Sequence, residues 1–299
     1  MQNTALTMGN FDGMHLGHIK VLSELITQSE QMGITPVVLS YIEHPGHFVH
    51  FQHPVSILTP RIVKKQLFLE QGIEKVFFLN FTSESAHTSA ERFLKDVMIP
   101  NFQPKLIVSG YDTHFGYQRE GNADFLRKFE QEYHYRTVQI VPVYHQNTII
   151  SSSAIRKELT TGNLETANAM LGQPYRLYGT VTYGLKLGKT IGFPTINLNL
   201  LDIEQLIPKN GIYLSSVRIE GIKHFGLTNI GISPTLKNSA QIEIETHILD
   251  FDSDVYQQNI ELDLLKLIRD EKSFASVEEL KQAITRDIVL GRSLLKEYE

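Results

Sequence analysis

The sequence contains no cysteine. That removes a disulfide framework, a thiolate nucleophile and a sulfur-built zinc site together. It fits a reducing compartment, so a cytoplasmic location is the expectation. No apolar run approaches the ~18 residues that cross a bilayer, which argues against a membrane transporter. The chain enters a strand-like Ala5-Leu6-Thr7-Met8 with no basic and then apolar leader before it. No internal repeat and no low-complexity tract is present. Excess positive charge is also missing: the net charge is −5, so composition exerts no pull toward nucleic acid. A polyanionic ligand must instead be held by a local site. With 41% apolar and 20% charged residues, the 299 residues read as a globular protein of two domains, each long enough to bury its own core.

Up to about residue 170, short apolar runs alternate with segments of helical period. The runs are Pro36 to Tyr41, Lys75 to Asn80, Lys105 to Ser109 and Thr137 to Val143. Between them, Leu16, Ile19, Leu22, Leu25 and Ile26 share one helical face, as do Ile62, Leu67 and Leu69. This alternation predicts an α/β, doubly wound parallel sheet with ligands at the carboxyl ends of its strands. After Gly172-Gln173-Pro174 the pattern changes to short alternating runs: Gly211 to Ile219, Gln241 to Leu249 and Ile260 to Leu265. These predict an antiparallel sheet or small β-barrel. A last helix is expected from Ser276 to about Leu295, opened by Ser276 and Glu279 as a capping box. The expected domains are 1–172 and 175–299.

The first strand runs into Gly9-Asn10-Phe11-Asp12-Gly13-Met14-His15-Leu16-Gly17-His18 and then a helix. Gly9 and Gly13 let the backbone turn tightly and approach a ligand. The unpaired N–H groups at the helix start suit a phosphate, and His15 and His18 lie on one face there to donate to charge on a phosphoryl oxygen. A Gly-rich turn with surface histidines is the plain alternative. Later, Ser151, Ser152 and Ser153 open another predicted helix, with Arg156 one turn in. Hydroxyl caps and a forked cation suit a polyphosphate, although an ordinary N-cap with a solvated Arg fits equally.

The His-x-Gly-His element looks like the nucleotidyltransferase signature. The longer segment from Gly9 to His18 closely resembles the prokaryotic bifunctional riboflavin kinase/FAD synthetase family. Further motifs follow in that family's order. Tyr41-Ile42-Glu43-His44-Pro45 resembles its Phe-Glu-Pro-His-Pro stretch, and Gly110 to Gly116 with Arg119-Glu120-Gly121-Asn122 resembles its Gly-Glu-Asp-Phe-Arg-Phe-Gly … Arg-x-Gly-Asp loop. Ile150 to Arg156 resembles its Ile-Ser-Ser-Thr-x-Ile-Arg motif. The resemblance implies that His15, His18 and Arg156 act in adenylyl transfer. It places ATP phosphates on Gly9, Asn10, Phe11, Asp12, Gly17, Ser151, Ser152 and Ser153, and flavin against Asp112 and Phe115. No base is required, because the FMN phosphate is already an anion. Catalysis is positioning and charge stabilisation helped by Mg²⁺.

The second half carries Gly184 to Asn197, with glycines spaced around Lys189 and a Thr-x-Asn ending. Backbone N–H groups there can face a phosphate, and Thr195 and Asn197 can offer oxygens to Mg²⁺. A β-hairpin with a Gly-rich tip is the alternative. Gly192-Phe193-Pro194-Thr195-x-Asn197 resembles the riboflavin kinase motif Gly-Phe-Pro-Thr-Ala-Asn. Asn229 to Thr235, Ile244 to Phe251 and Arg269 to Phe274 are similar to three more of its motifs. The resemblance then implies that Gly188, Lys189, Gly192, Pro194 and Thr195 bind ATP, that Thr195 and Asn197 hold Mg²⁺ and that Arg269 meets the flavin. Glu245 becomes the base for the riboflavin 5′-hydroxyl; from the residues alone it is equally an outward strand carboxylate beside Glu243. The substrates implied are riboflavin, FMN and ATP, FAD is a product, and the expected assembly is a monomer or weak oligomer without nucleic acid or membrane partners.

Several positions depart from the family pattern. Glu43 replaces a proline, while Tyr111, Thr113 and His114 replace Glu, Phe and Arg. Asn122 replaces Asp, Ser233 a commonly larger polar residue, and Gln257 a glycine. His44, His47, His50 and His53 recur every third residue, but prolines break any helix there, and a loop near the nucleotide is the better reading than a metal cage. On the sequence alone two rivals stay open: an adenylyltransferase with an inactive kinase domain, and a non-catalytic flavin-binding regulator.

Overall fold

The computed structural model describes residues 1, 3–42, 55–80, 82–183, 187–233 and 241–298, which form two compact units, Met1–Ser152 and Ser153–Glu299. The histidines at 44, 47, 50 and 53 lie outside the described residues.

In the first unit β1 (Thr4–Met8), β2 (Thr35–Tyr41), β3 (Lys75–Leu79), β4 (Pro104–Ser109) and β5 (Arg136–Gln139) form a parallel five-stranded sheet in the order β3-β2-β1-β4-β5. Side chains alternate between its faces. Ala5, Val38, Leu106 and Val108 meet Leu22 and Leu25 of α1 (Leu16–Met32) and Phe68 of α2 (Arg61–Glu70). Leu6, Met8, Val37, Leu39 and Ile107 meet Leu94, Met98 and Phe102 on the other face. Burial on both faces explains why these strands read as apolar runs rather than alternating ones. Strand order reverses at β1, so the loops leaving β1 and β4 flank a crevice at the carboxyl ends.

Two expectations for this unit need correction. The buried residues of α2 are Lys64 and Phe68, while Ile62 is 73% and Leu69 41% exposed. The face predicted from Ile62, Leu67 and Leu69 is therefore rotated. The last strand stops at Gln139 rather than Val143, because its partner β4 ends at Ser109, which pairs with Gln139 and accepts from the Ile140 N–H; beyond it Val141 is 65% exposed. A small hairpin of β6 (Tyr144–His145) and β7 (Thr148–Ile149) follows.

The second unit contains a closed antiparallel barrel of β8 (Tyr175–Thr182), β9 (Ile196–Leu200), β10 (Gly211–Ile219), β11 (Ile222–Ser233), β12 (Gln241–Ile248) and β13 (Asn259–Asp270). Its order is β10-β11-β12-β9-β8-β13. Glu220 and Gly221, both with positive φ, make the two-residue turn joining β10 to β11. Two helices precede the barrel, α3 (Ser152–Thr161) and α4 (Leu164–Leu171). The Asn168 side chain donates to the Leu264 carbonyl and accepts from the Tyr175 N–H, and the Lys209 N–H donates to the Leu159 carbonyl. These bonds tie 153–172 to the barrel, so the compact units part at 152/153, whereas the change in sequence pattern comes near 172.

The final helix α5 (Val277–Leu294) begins as expected, with Ser276 Oγ accepting from the Glu279 N–H. Glu279 returns its carboxylate to the N–H of Ala275, one residue before the reciprocal position of a capping box. Ile288 and Leu294 cover Leu214, Leu227 and Leu265 of the barrel.

Candidate active sites

The first site is a loop stapled from several directions. Gly9 leaves β1 with its N–H donating to the Leu39 carbonyl at 3.1 Å. Phe11, Gly13 and Met14 then adopt φ values of 53°, 88° and 42°. Two non-glycine residues in the left-handed region mark a backbone held under strain by its surroundings. The holding contacts are identifiable. The Asp12 carboxylate accepts from the N–H groups of Leu58 and Thr59 at 2.9–3.0 Å, and Thr59 Oγ1 accepts from the Gly13 N–H at 2.9 Å. Ser152 Oγ, at the start of α3, donates to the Asp12 carbonyl at 2.8 Å. Phe11 is buried in the core, its ring edge-on to Phe68 at 5.2 Å. It anchors the loop from below.

His15 is the N-cap of α1, and its Nδ1 accepts from the His18 N–H at 3.3 Å. That role puts the proton of a neutral His15 on Nε2. The two imidazoles stack at 3.6 Å with an interplanar angle of 16°. Gly17 gives the His15 ring room, since a Cβ there would lie 3.1 Å from it. Burial holds His18 well below the ordinary histidine range, and the charges of His15 and Lys64 push it further. His18 is therefore neutral at physiological pH and offers an N–H rather than a positive charge. Arg156 stands four residues after Ser152 on α3, on the same side of that helix.

The loop after β4 carries Asp112, which is exposed and hydrogen-bonded to Tyr111. Burial, followed by the neighbouring Asp112 carboxylate, raises the Tyr111 hydroxyl above its usual range. Phe115 lies in the core between Phe93 and Phe125, its backbone exchanging both hydrogen bonds with Gly121. Two departures from the family pattern have local roles. Asn122 caps the short helix Ala123–Arg127 by accepting from the Phe125 N–H, work for which Asn and Asp are equivalent. His114 Nδ1 bonds the Arg119 carbonyl across the loop.

The second site lies on the barrel. Glu245 of β12 is flanked in register by Asn229 of β11 and Asn197 of β9. Burial and then the like charge of Glu243 raise its pKa, against a lowering hydrogen bond from Asn197. Asn197 donates with its amide nitrogen there, which leaves its carbonyl oxygen for another partner. Thr195 precedes β9, and the Pro194 carbonyl is bonded by His247 Nδ1 at 2.8 Å. Gly188, in the turn Leu187–Thr190, accepts from the Phe193 N–H, and a Cβ there would collide with the Phe193 carbonyl. Gly192 has φ 92°, open only to glycine without strain. Arg269 is engaged: Nε and Nη2 bond Asp287 at 2.8–3.1 Å, and Nη1 bonds the Asp270 carbonyl. Its guanidinium sits 5.8 Å from the Phe274 ring centre. The Lys189 side chain and residues 184–186, Pro234 and Thr235 lie outside the described residues. The oxygens of Thr195 and Asn197 are hard donors suited to Mg²⁺, which binds through few protein ligands and completes its shell with phosphate and water. Among the described residues no group of three His, Cys, Asp or Glu could hold a metal by itself.

Residues 1–154 match the family model described as FAD synthetase, and residues 171–295 the one described as riboflavin kinase. A bifunctional riboflavin kinase/FMN adenylyltransferase of Escherichia coli K12 is 34% identical over 292 residues, spanning 97% of this chain and 92% of that protein. One from Buchnera aphidicola is 32% identical over 290 residues, spanning 96% and 92%. This chain belongs to the bifunctional riboflavin kinase/FMN adenylyltransferase family. A crystal structure from Streptococcus pneumoniae, named a macrolide-efflux protein, superposes with a TM-score of 0.88 at 27% identity, covering 97% of this chain and 94% of that one. Among the described residues no helix is long and apolar enough to cross a membrane.

The expectations for this family passed over Lys64, Thr59 and Asn229 as site residues. Thr59 acts through a loop 46 residues away, which no local pattern reveals. Asn229 lay within a quoted motif, and its register opposite Glu245 was the missing information. Lys64 had a visible signal: it stands four residues before Phe68, on one helical face with a large apolar residue.

Proposed function

We propose that the chain converts riboflavin to FMN and then FMN to FAD, each step with ATP. Residues 1–172 carry the adenylyl transfer and 175–299 the kinase. In the first step the riboflavin 5′-hydroxyl oxygen attacks the γ-phosphorus, ADP leaves and Glu245 takes the proton. A carboxylate with a raised pKa is a stronger acceptor than an ordinary glutamate. Gly188, Lys189, Gly192, Pro194 and Thr195 hold the ATP phosphates, with Arg269 on the flavin side. Mg²⁺ held by Thr195 and Asn197 supplies charge neutralisation of the polyphosphate when bound.

In the second step an FMN phosphate oxygen attacks the α-phosphorus of ATP and pyrophosphate leaves. His15 and His18 donate to the developing charge, while Gly9, Asn10, Asp12 and Gly17 shape the cradle with Phe11 as its anchor. Ser151, Ser153, Arg156 and the backbone N–H of Ser152, whose hydroxyl is given to the Asp12 carbonyl, take the β and γ phosphates, and Asp112 meets the flavin beside the Phe115 packing. The observation that carries this reading is the pair of built sites on two separate sheets, each inside a different matched family model.

Incubation with riboflavin, ATP and Mg²⁺, followed by chromatography of the products, tests it. FMN and then FAD are expected. FAD made from supplied FMN, with no FMN from riboflavin, would sink the kinase half; no product from either flavin would leave only a binding protein.

A further inference from the structure

Lys64 projects from α2 into the underside of the first site and is buried. Its ammonium donates to two neutral oxygens, Asn10 Oδ1 and the Tyr41 carbonyl, each at 3.1 Å. An ammonium carries three hydrogens, and two of them are taken up among the described residues. Asp12 is the carboxylate that acts on this charge, and its oxygens also accept from the N–H groups of Leu58 and Thr59. Among the described residues Lys64 forms no ion pair. Burying an unpaired charge costs free energy, and the usual resolution is a partner. Asn10 lies in the phosphate loop, and the Lys64 charge reaches His18.

We propose that Lys64 is a positioning residue of the adenylyl-transfer site: it fixes Asn10 beneath the loop, and a phosphate of the bound substrate completes its buried charge. This rests on reading Gly9 to His18 as the nucleotide phosphate site. Among the described residues the groups facing Lys64 are Asp12 and Asn10 from the loop, Arg61 from its own helix, His18 from α1 with His15 stacked upon it, and the Tyr41 carbonyl from β2. Burial pulls the Lys64 ammonium down to about 8, Asp12 opposing and Arg61 adding to the shift. The free enzyme thus loses this charge as pH rises through about 8, and an arriving phosphate favours its retention.

The test follows FAD formation from FMN and ATP across pH in the unmodified enzyme, Lys64→Arg and Lys64→Met. The unmodified enzyme should lose kcat/KM for ATP above about pH 8, and Lys64→Arg, which stays charged, should lack that limb. Lys64→Met should lower kcat/KM roughly 10- to 100-fold, with riboflavin phosphorylation unchanged. The inference is overturned if folded Lys64→Met stays within about two-fold, or if the alkaline limb persists in Lys64→Arg. The pH comparison decides even where Lys64→Met does not fold. Absence of FAD formation by the unmodified enzyme would instead defeat the adenylyl-transfer reading.

Discussion

Replacing Asp12 with alanine strips the acceptor from two buried backbone donors, the N–H groups of Leu58 and Thr59. Each buried donor left unpaired costs about 1–3 kcal/mol. Both together should therefore cost about 3 kcal/mol locally, or roughly 100-fold in the opening equilibrium of that segment. The bonds from Ser152 Oγ to the Asp12 carbonyl and from the Gly13 N–H to Thr59 do not use this carboxylate. The loop should therefore loosen rather than detach. Amide exchange resolved on residues 57–60 reads the effect directly, with exchange on β12 as the internal control. FAD formation should fall in parallel, because the cradle N–H groups lose their fixed aim. Wild-type protection at Leu58 and Thr59 in the variant would refute the reasoning, as would an equal loss of protection on β12.

The kinase half should show an acid limb in kcat/KM for riboflavin at higher pH than a solvated glutamate would give, because the base form of Glu245 exists only above its raised pKa. Glu243→Gln removes the like charge and should move that limb to lower pH; a pH profile that does not shift removes Glu243 as a cause. Gln257 adopts φ 64°, a left-handed conformation that costs a non-glycine residue about 1–2 kcal/mol. Glycine loses about 0.5–1 kcal/mol more chain entropy on folding, so Gln257→Gly should be neutral to slightly stabilising in urea titration, and a clear destabilisation would count against the argument.

The parallel strands were legible because burial on both sides leaves few residues that are not apolar. Helix faces were less so: Ile62 and Leu69 look like core residues in one dimension, yet the sheet meets the side carrying Phe68 and Lys64. Within the first site, His15, His18 and Asp12 announce themselves by spacing beside glycine. Lys64 shows only its spacing from Phe68, and its bond to Asn10 follows from where α2 packs. Phe11 and Phe115 sit inside binding motifs, but aromatic residues that anchor a loop in the core and those that face a ligand look alike in sequence. Arg269 likewise stands in a flavin-associated motif, and its commitment to Asp287 follows from where α5 returns to the barrel.

The barrel has an uneven ring of pairings. β10 and β11 pair continuously from Gly211–Ile230 to Ile219–Ile222, whereas among the described residues β12 and β9 meet only at Glu245–Asn197 and Thr246–Ile196. The shortest seam and the proposed proton acceptor are the same place. If Glu245 is the base, thermal breathing that parts β9 from β12 should separate Asn197 from Glu245 while the longer pairings of the ring stay hydrogen-bonded. Phosphorylation of the flavin should thus fail at temperatures where the protein still looks folded, and ligands that bridge the seam should hold it shut.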